Sequence, residues 1–306
     1  MLKNIDDLKI TKLVGNTPLF QLNNDKGAEV WIKLEGVNPG GSIKDRAAWG
    51  MFRYAQQKGL LTEKSVIVEP TSGNTGISLA MFGRALGLPV ILTMPESMTK
   101  ERRAVLAAYG AKLVLTPAAN GMAGAMEVAK RILKEDKNAI MLDQFSNPGN
   151  PIIHEETTGK EIIAQAPKGK KIAAFIAGFG SGGTVTGVGR ALKKVFPDVK
   201  IIGVEPASSP LVTQGKAGSH KIQGIGANFV PANLAKDEID EFMTVTNEDA
   251  LATARQLAEV DGIFSGISAG ANVWAAKKVA AGLPSDSIVV TVQPDRGDKY
   301  LSIFSA

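Results

Sequence analysis

The chain has 306 residues, of which 44% are hydrophobic and 21% charged, and its formal net charge is +5. That composition is typical of a globular protein with a large core and excludes a disordered chain. The chain has no cysteine, which excludes disulfides, a thiolate nucleophile and cysteine-bound metals. Its two histidines, His154 and His220, are isolated in the sequence, so no metal site is expected.

The chain begins with MLKNIDDLKI, in which acidic residues interrupt the apolar centre that a signal peptide needs. No stretch reaches the roughly 20 apolar residues of a membrane span, so we expect a cytoplasmic protein with no membrane partner. The basic clusters at 100–103 and 168–171 form no stripe and lack interleaved aromatics, which argues against nucleic acid. The mildly positive charge suits small anionic ligands.

Short β-branched runs alternate with helical segments along the chain. The segment 74–87, for example, opens with a residue of the N-cap type, carries apolar side chains at three-to-four spacing and stops at glycine. Near-continuous apolar strands separated by helices indicate parallel sheet covered on both faces, so we predict an α/β fold. The predicted strands are SVIVEP, PVILTMP, AKLVLTP, AIMLDQF, KIAAFIAG, KIIGVEP and SIVVTVQ.

Two segments lack any periodicity. QFSNPGNP, at 144–151, breaks both helix and strand, and we predict a boundary there between an N-terminal domain of residues 1–148 and a C-terminal domain of residues 149–306. GSHKIQGIGANFVPANL, at 218–234, is long for a loop in a compact domain, which favours a binding loop or a lid.

Four turns rich in glycine and hydroxyl groups are expected at strand ends, where open α/β sheets bind ligands. NPGGSIKDR places Lys44 after flexible glycines, and SGISAG places Ser268 before a helix. EPTSGNTG (69–76) and GSGGT (180–184) offer N–H groups at helix starts, which are ready-made sites for carboxylate or phosphate. Each turn alone fits an ordinary loop or helix cap. Together they indicate a ligand with a phosphate, a carboxylate and a carbonyl group.

A competing interpretation starts from GFGSGGTVTG. Gly178, Gly180 and Gly183 fit the GxGxxG spacing, and Glu205 follows about 20 residues later, as in a dinucleotide site. A nicotinamide-dependent dehydrogenase, however, gives no role to Lys44 or PTSGNTG. Pyridoxal 5'-phosphate acting on an amino acid uses all four turns: an amine for its aldehyde, a nest for its phosphate, a partner for its ring nitrogen and a second anion site for the substrate.

Matching segments stand in the order found in one family of enzymes. Over residues 12 to 303 the chain resembles the cysteine synthase and cystathionine β-synthase family of pyridoxal-phosphate enzymes. GGSIKDR and DRGDKYLS resemble the B-type cysteine synthases and the cystathionine β-synthases, whereas KIQGIGANF, TMPESM and QFSNP resemble the A-type cysteine synthases. The matching segments are GNTPL, NPGGSIKDR, EPTSGNTGISLA, TMPESMTKERR, DQFSNPGNPIIHEETTGKEI, AGFGSGGTVTGVGR, GVEP, HKIQGIGANF, GISAGA and DRGDKYLS.

The resemblance implies a fold and an assembly. It implies the fold of the tryptophan synthase β subunit, known as fold type II: two α/β domains, each with a mostly parallel sheet flanked by helices, and the cofactor in the cleft between them. Residues from about 12 to 35 are expected to cross to the other domain. A homodimer is implied, as is the C-terminal tail of a serine acetyltransferase as a partner.

The resemblance also assigns residues to roles. Lys44 is implied to be the catalytic Schiff-base lysine, Asn74 the amide that bonds the cofactor's ring hydroxyl, and Ser268 the partner of its ring nitrogen. Gly224 is implied to lie in the loop over the cleft. The implied phosphate cup consists of Gly180, Ser181, Gly182, Gly183 and Thr184. The implied substrate-carboxylate loop consists of Thr71, Ser72, Gly73, Asn74 and Thr75, joined by Gln144.

The implied chemistry is β-replacement on an L-serine derivative through an aminoacrylate. Lys44 removes the α-proton, and a neutral hydroxyl at Ser268 favours elimination over transamination because it does not hold the ring nitrogen protonated. A cysteine synthase, joining O-acetyl-L-serine and sulfide into L-cysteine and acetate, is the leading hypothesis. Alternatives are a cystathionine β-synthase and a cysteine-consuming lyase that releases sulfide and forms lanthionine or serine. The dehydrogenase and a catalytically silent binding protein are more remote.

Overall fold

The computed structural model describes residues 2–24 and 26–304 and shows an α/β protein. The strands of the described residues are short, as expected for a sheet buried under helices. In chain order they are β1 (Leu19–Gln21), β2 (Glu29–Leu34), β3 (Val66–Pro70), β4 (Val90–Pro95), β5 (Lys112–Thr116), β6 (Ala139–Ile140), β7 (Lys171–Gly178), β8 (Lys200–Pro206), β9 (Glu241–Val245) and β10 (Ser287–Gln293).

The helices follow the strands in the expected alternation. A π-helical stretch, His154–Gly159, joins the fifth helix to the sixth. In chain order the α-helices are α1 (Lys44–Gln57), α2 (Asn74–Leu86), α3 (Lys100–Ala108), α4 (Gly121–Glu135), α5 (Gly149–Ile153), α6 (Lys160–Gln165), α7 (Gly183–Val195), α8 (Leu211–Gln214), α9 (Asn247–Asp261), α10 (Ile267–Ala280) and α11 (Leu301–Phe304).

The chain divides into two compact units. Unit 1 comprises Met1–Val14 and Lys44–Asn150, and unit 2 comprises Gly15–Ile43 and Pro151–Ala306. The sequence predicts a boundary at 148/149 and a segment of about residues 12–35 that crosses to the other domain. In the structure the segment assigned to unit 2 extends to Ile43, so that the division falls directly before Lys44.

The described residues of unit 1 form a four-stranded sheet in the order β5-β4-β3-β6, and all of its strand pairs are parallel. Parallel sheets need helices on their faces, and the core of unit 1 is built from buried side chains of α1 and α2 together with those of β3 and β4. The last strand is shorter than AIMLDQF suggested, because the chain turns at Asp143, which has a left-handed φ of 51°.

Unit 2 contains a six-stranded sheet in the order β1-β2-β10-β7-β8-β9, parallel except for β1 against β2. The sequence does not predict strand β2, because its apolar pattern is interrupted by a lysine that the fold buries. Lys33 is fully buried, and its Nζ contacts Glu161 and Gln165, each at 2.8 Å. A buried lysine ammonium needs a carboxylate and further hydrogen-bond acceptors to offset the loss of water. The predicted α/β class with mainly parallel sheets is confirmed.

Within the described ranges, none of the helices is both long and apolar enough to cross a membrane.

Candidate active site

The start of α1 is tied to the start of α2 within unit 1. Lys44 is the first residue of α1 and is half-buried. Its neighbour Asp45 is fully buried, and Asp45 Oδ1 accepts a hydrogen bond from Ser78 Oγ at 2.5 Å. Ser78 Oγ also lies 3.1 Å from the carbonyl oxygen of Asn74, the first residue of α2. The side chains of Lys44 and Asn74 therefore extend from two helix starts that hydrogen bonds hold together.

The turn of residues 71–75 links β3 to α2 in unit 1. Its Thr71 N–H donates to the Thr93 carbonyl of β4 at 3.1 Å, which fixes the turn at the end of the sheet. Gly73 is the N-cap residue of α2 and has no side chain to cap the helix. Since the N–H groups of a first helical turn have no intrahelical acceptor, this turn suits an anion.

Gln144 lies beside this turn. Thr75 Oγ1 donates to Gln144 Oε1 at 2.7 Å, although the two residues are 69 positions apart in the chain. The Gln144 backbone is in turn held by Glu69, the penultimate residue of β3, whose carboxyl accepts the N–H groups of Asp143 at 3.2 Å and Gln144 at 3.4 Å. The structure thus brings Gln144 to the predicted substrate turn.

Glu69 is a buried acid in unit 1 that the sequence analysis did not single out. Burial raises its pKa to about 7, and the nearby charge of Asp143 adds to the increase. The N–H groups of Asp143 and Gln144 act in the opposite direction because they stabilise the carboxylate. A carboxyl group that titrates near neutral pH beside a predicted binding turn is a candidate functional group.

The second anion turn, residues 180–184, lies in unit 2 between β7 and α7. Gly182 is the N-cap of α7 and has a φ of 82°, a conformation that favours glycine. A Cβ at Gly182 would lie 2.7 Å from the backbone of Leu234, and a Cβ at Gly180 would lie 2.5 Å from the carbonyl oxygen of Gly224. The turn is a close-packed glycine cup at a helix start that carries no side-chain cap.

Gly224 and Ser268 lie next to this cup in unit 2. The Gly226 N–H donates to the Phe179 carbonyl at 3.0 Å, which attaches the predicted loop 218–234 to the end of β7. A Cβ at Gly224 would lie 3.8 Å from Ser268 Oγ. Ser268 is buried in the first turn of α10. The structure therefore brings the predicted phosphate cup, Gly224 and Ser268 together within unit 2.

Two buried side chains near the cup, His154 and Asn272, have contacts that the sequence did not predict. Thr184 Oγ1 and His154 Nε2 are 3.4 Å apart, and His154 Nδ1 lies 2.9 Å from Thr158 Oγ1. The buried amide of Asn272, on α10, accepts from the Gly178 N–H at 2.6 Å and donates to the Val292 carbonyl at 2.8 Å. The signal available for Asn272 was a single amide in the otherwise apolar run AGANVWAA.

Replacing Asn272 with alanine is expected to destabilise the protein by about 2–4 kcal/mol, because it leaves the Gly178 N–H and the Val292 carbonyl without their partner. Chemical unfolding monitored by circular dichroism measures the loss. Asn120, which is exposed, provides the matched control, and its replacement with alanine should change stability by less than about 0.5 kcal/mol. Equal effects at the two positions would show that the Asn272 bonds contribute little.

Glu205, the acid of the apparent dinucleotide pattern, is occupied within the fold. Its Oε2 accepts from the Val212 N–H at 2.9 Å, and its Oε1 accepts from both the N–H and the hydroxyl of Thr213. Glu205 is also buried. It serves as an anchor for the first turn of α8, in keeping with the expectation that the glycine spacing here does not describe a dinucleotide site.

Comparison with known proteins identifies the family. The profile of the family described as "Pyridoxal-phosphate dependent enzyme" matches residues 10–295. The chain belongs to this family. The enzyme's cofactor is accordingly pyridoxal phosphate.

Relatives and solved structures resemble the enzyme over nearly its whole length. It is 47% identical to a cysteine synthase of Staphylococcus aureus, over 96% of this chain and 95% of that protein. It is 49% identical to cysteine synthase B of Campylobacter jejuni, over 96% and 97% of the two chains. The structure of a cysteine synthase from Entamoeba histolytica superposes with a TM-score of 0.91 at 36% identity, covering 96% and 89%. A hydrogen sulfide-producing enzyme from Fusobacterium nucleatum superposes with a TM-score of 0.90 at 38% identity, covering 95% and 97%.

The residues of the enzyme fit this cofactor. A phosphate needs several N–H donors, and the cup at Gly182 presents backbone N–H groups at a helix start where side chains at Gly180 and Gly182 are sterically excluded. The amine that the cofactor's aldehyde needs would come from Lys44 in unit 1, and the small polar partner that its ring nitrogen needs would come from the Ser268 hydroxyl in unit 2. Each unit thus carries groups with the chemistry that pyridoxal phosphate requires.

Proposed function

We propose that the enzyme is a cysteine synthase, which converts O-acetyl-L-serine and sulfide into L-cysteine and acetate. The observation that carries this proposal is the 47–49% identity, over 96% of the chain, to two enzymes named cysteine synthase. The lysine and the two anion turns that this chemistry needs are all present in the chain. They support the proposal because a non-catalytic relative would have no need to retain them.

We assign the residues as follows. Lys44 binds the cofactor covalently through its amine, Asn74 bonds its ring hydroxyl, and Ser268 contacts its ring nitrogen. The phosphate cup comprises Gly180, Ser181, Gly182, Gly183 and Thr184. The substrate carboxylate is bound by the turn Thr71, Ser72, Gly73, Asn74 and Thr75 together with Gln144, and Gly224 lies in the loop that covers the substrate.

The proposed mechanism follows from the chemistry of these groups. When bound, pyridoxal phosphate withdraws electrons from the α-carbon of the amino acid, which makes its proton removable. The turn at Thr75 holds the substrate carboxylate and so orients the α-carbon. The Lys44 amine is released from its covalent link when the substrate's amine takes its place, and it then removes the α-proton as a general base. The Ser268 hydroxyl is neutral and does not keep the ring nitrogen protonated, which favours loss of the β-substituent. Lys44 returns the proton after sulfide has added.

The nearest alternative uses the same residues with other substrates. The likeness to the hydrogen sulfide-producing enzyme from Fusobacterium nucleatum, with a TM-score of 0.90, supports an alternative in which the enzyme releases sulfide. In that alternative we propose L-cysteine as the donor. A cystathionine β-synthase, with homocysteine as acceptor, is a further alternative, supported by a TM-score of 0.88 to an O-acetylserine-dependent cystathionine β-synthase from Helicobacter pylori. The proposed catalytic residues do not separate these reactions, because they act on the α-carbon that all the donors share.

A panel of donors and acceptors tests the proposal. We expect O-acetyl-L-serine with sulfide to give the highest kcat/KM of the panel. The value should be about tenfold or more above those for L-serine or L-cysteine as the donor and homocysteine as the acceptor. Product is measured by amino-acid chromatography. Turnover of L-cysteine alone, with release of sulfide and no synthesis from O-acetyl-L-serine, would instead identify the enzyme as a lyase.

We further propose a homodimer that works in the cytoplasm and binds the C-terminal tail of a serine acetyltransferase. Support comes from the family resemblance of the sequence. Size-exclusion chromatography with light scattering, and titration with a synthetic tail peptide, test the assembly and the partner. A monomer at micromolar concentration, or a peptide that does not bind, would remove the corresponding part of this proposal.

A further inference from the structure

We infer that Glu69 is a positioning residue for the carboxylate-binding turn: it holds Gln144 beside Thr75, and its ionisation weakens the binding of the substrate's carboxylate. The inference rests on the proposed function of residues 71–75 as a substrate site. Glu69 is not among the residues proposed to bind the cofactor or the substrate, and it acts through the Gln144 backbone.

The geometry links Glu69 to the turn in two ways. Along the chain, Glu69 is followed by Pro70 and then by Thr71, the first residue of the turn. Through space, its two carboxyl oxygens accept different donors: Oε2 takes the Asp143 N–H, and Oε1 takes the Gln144 N–H. The side chain of Gln144 then accepts the Thr75 hydroxyl. One buried carboxyl therefore fixes the Gln144 backbone, and the Gln144 side chain in turn contacts the turn at Thr75.

The Gln144 segment needs such an anchor. Asp143 has a φ of 51°, which costs energy for a residue with a Cβ. Its own carboxylate is engaged locally, since Oδ1 accepts the Phe145 N–H at 3.1 Å and Oδ2 accepts the Ser146 hydroxyl at 2.5 Å. Two carboxyl groups therefore hold the turn at Asp143. The Asp143 side chain accepts hydrogen bonds from the residues that follow it, and Glu69 accepts the Asp143 N–H.

The charge of Glu69 matters because the turn is built for an anion. A neutral carboxyl group accepts both N–H groups without adding a negative charge, whereas a carboxylate next to the turn repels the substrate's carboxylate. With a pKa of about 7, Glu69 changes between these states in the neutral range. The carboxylate of a bound substrate should by the same repulsion favour the protonated form.

Asp143 is the charged group whose repulsion raises the pKa of Glu69. Helices α1 and α2 share the core of unit 1 with β3 and also carry charged side chains, of which Asp45 and Arg46 are buried. These charged residues are Lys44, Asp45, Arg46, Arg53 and Arg84. Strands β4 and β6, which pair with β3 on either side, carry no ionisable side chain. Helix α4 also packs on β3, and its charged residues are all exposed to solvent. They are Glu127, Lys130, Arg131, Lys134 and Glu135. Removing the charge of Asp143 should therefore lower the pKa of Glu69.

The test compares the wild-type holoenzyme with Glu69→Gln from about pH 6 to about pH 8.5, a range centred near the pKa of Glu69. We expect the wild-type KM for O-acetyl-L-serine, divided by that of Glu69→Gln at each pH, to rise about threefold to tenfold across this range. The ratio of the kcat values should stay nearly constant. The ratio cancels the effect of the substrate amine's titration on KM, because both proteins act on the same substrate.

Binding of L-alanine provides a readout without turnover. L-alanine carries the α-carboxylate but no leaving group, and its binding is followed by the visible absorbance of the holoenzyme. The ratio of dissociation constants should show the same rise with pH. If no donor is turned over while this rise persists, the proposed function fails and the role of Glu69 stands; if the enzyme makes cysteine but both ratios are flat, the role of Glu69 is wrong.

Two further variants complete the design. Asp143→Asn should move the midpoint of the pH dependence below that of the wild type, which tests the inference even if Glu69→Gln fails to fold. Glu127→Gln is the matched control, since Glu127 is exposed on α4, and it should leave the profile unchanged. A purely structural role for Glu69 would change KM by a factor that is the same at every pH, and that result would overturn the inference.

Stability measurements check the titration itself. Because the pKa of Glu69 is raised from 4.5 in the unfolded chain to about 7 in the fold, the folded state binds more protons between these values. The contribution of Glu69 to stability is therefore lost as the pH rises through about 7. The wild-type melting temperature, relative to that of Glu69→Gln, should fall across this window; a constant difference would contradict a titrating Glu69.

Discussion

Replacing Lys44 with alanine is expected to lower kcat by about 10²–10⁴-fold, because the variant lacks the proposed general base. It should also lose the covalent link to the cofactor. Borohydride reduction followed by mass spectrometry of peptides measures that link, and the wild-type protein should retain the mass of the reduced cofactor on the peptide that contains Lys44. The rate of cysteine formation measures the catalytic loss.

Two controls accompany this variant. Lys44→Arg keeps the positive charge at the start of α1 but does not form the covalent link, so it should be as inactive as Lys44→Ala. Lys64→Ala removes an exposed lysine of unit 1 and should leave activity within about twofold. Near-normal cysteine formation by Lys44→Ala, or cofactor mass on a different lysine, would contradict the assignment of Lys44.

The second large effect is expected at Gly182. An alanine there must adopt a φ of 82° and place its Cβ 2.7 Å from the backbone of Leu234. The conformation alone costs about 1–2 kcal/mol, and the contact with backbone atoms forces the helix start to move. The displaced N–H groups should bind phosphate less well, and since every 1.4 kcal/mol of lost binding free energy is tenfold in affinity, we expect cofactor affinity to fall by about tenfold or more. Titration of the apoenzyme with pyridoxal phosphate, followed by absorbance, measures this loss.

Gly169 offers a closely matched control for Gly182. Its φ is 81°, and a Cβ at this position would meet no atom within 4 Å. Gly169→Ala therefore carries the same conformational cost without the contact at the cup. We expect it to lower the melting temperature modestly and to leave cofactor affinity unchanged. Equal cofactor affinities for the two variants would refute the role of the Gly182 turn in binding phosphate.

The sequence was sufficient to predict the α/β class and most of the strands. Runs such as KIAAFIAG and SIVVTVQ are apolar on both faces, which is the pattern of a strand buried under helices, and they form β7 and β10. Strand β2 was missed because its pattern includes Lys33, whose burial depends on Glu161, more than 100 positions away. Strand β6 was predicted too long because the turn at Asp143 depends on an acid in another strand.

In the candidate site, too, local features could be predicted from the sequence and long-range contacts could not. The turns at Gly73 and Gly182 are local features, since glycine before a helix can be recognised from neighbouring residues. The residues that hold these turns in place are not local. Glu69 reaches Gln144 across 75 positions, and Asn272 reaches Gly178 across 94. No periodicity in the sequence marks such pairs, because they arise only when the strands and helices pack.

The direction in which sulfide moves tests the central claim most directly. Purified holoenzyme is given O-acetyl-L-serine with sulfide in one reaction and L-cysteine alone in another, and sulfide is followed with a selective electrode. We predict rapid consumption of sulfide with an equal amount of L-cysteine formed in the first reaction, and release slower by about tenfold or more in the second. Release of sulfide from L-cysteine, with no consumption in the presence of O-acetyl-L-serine, would contradict the assignment as a cysteine synthase.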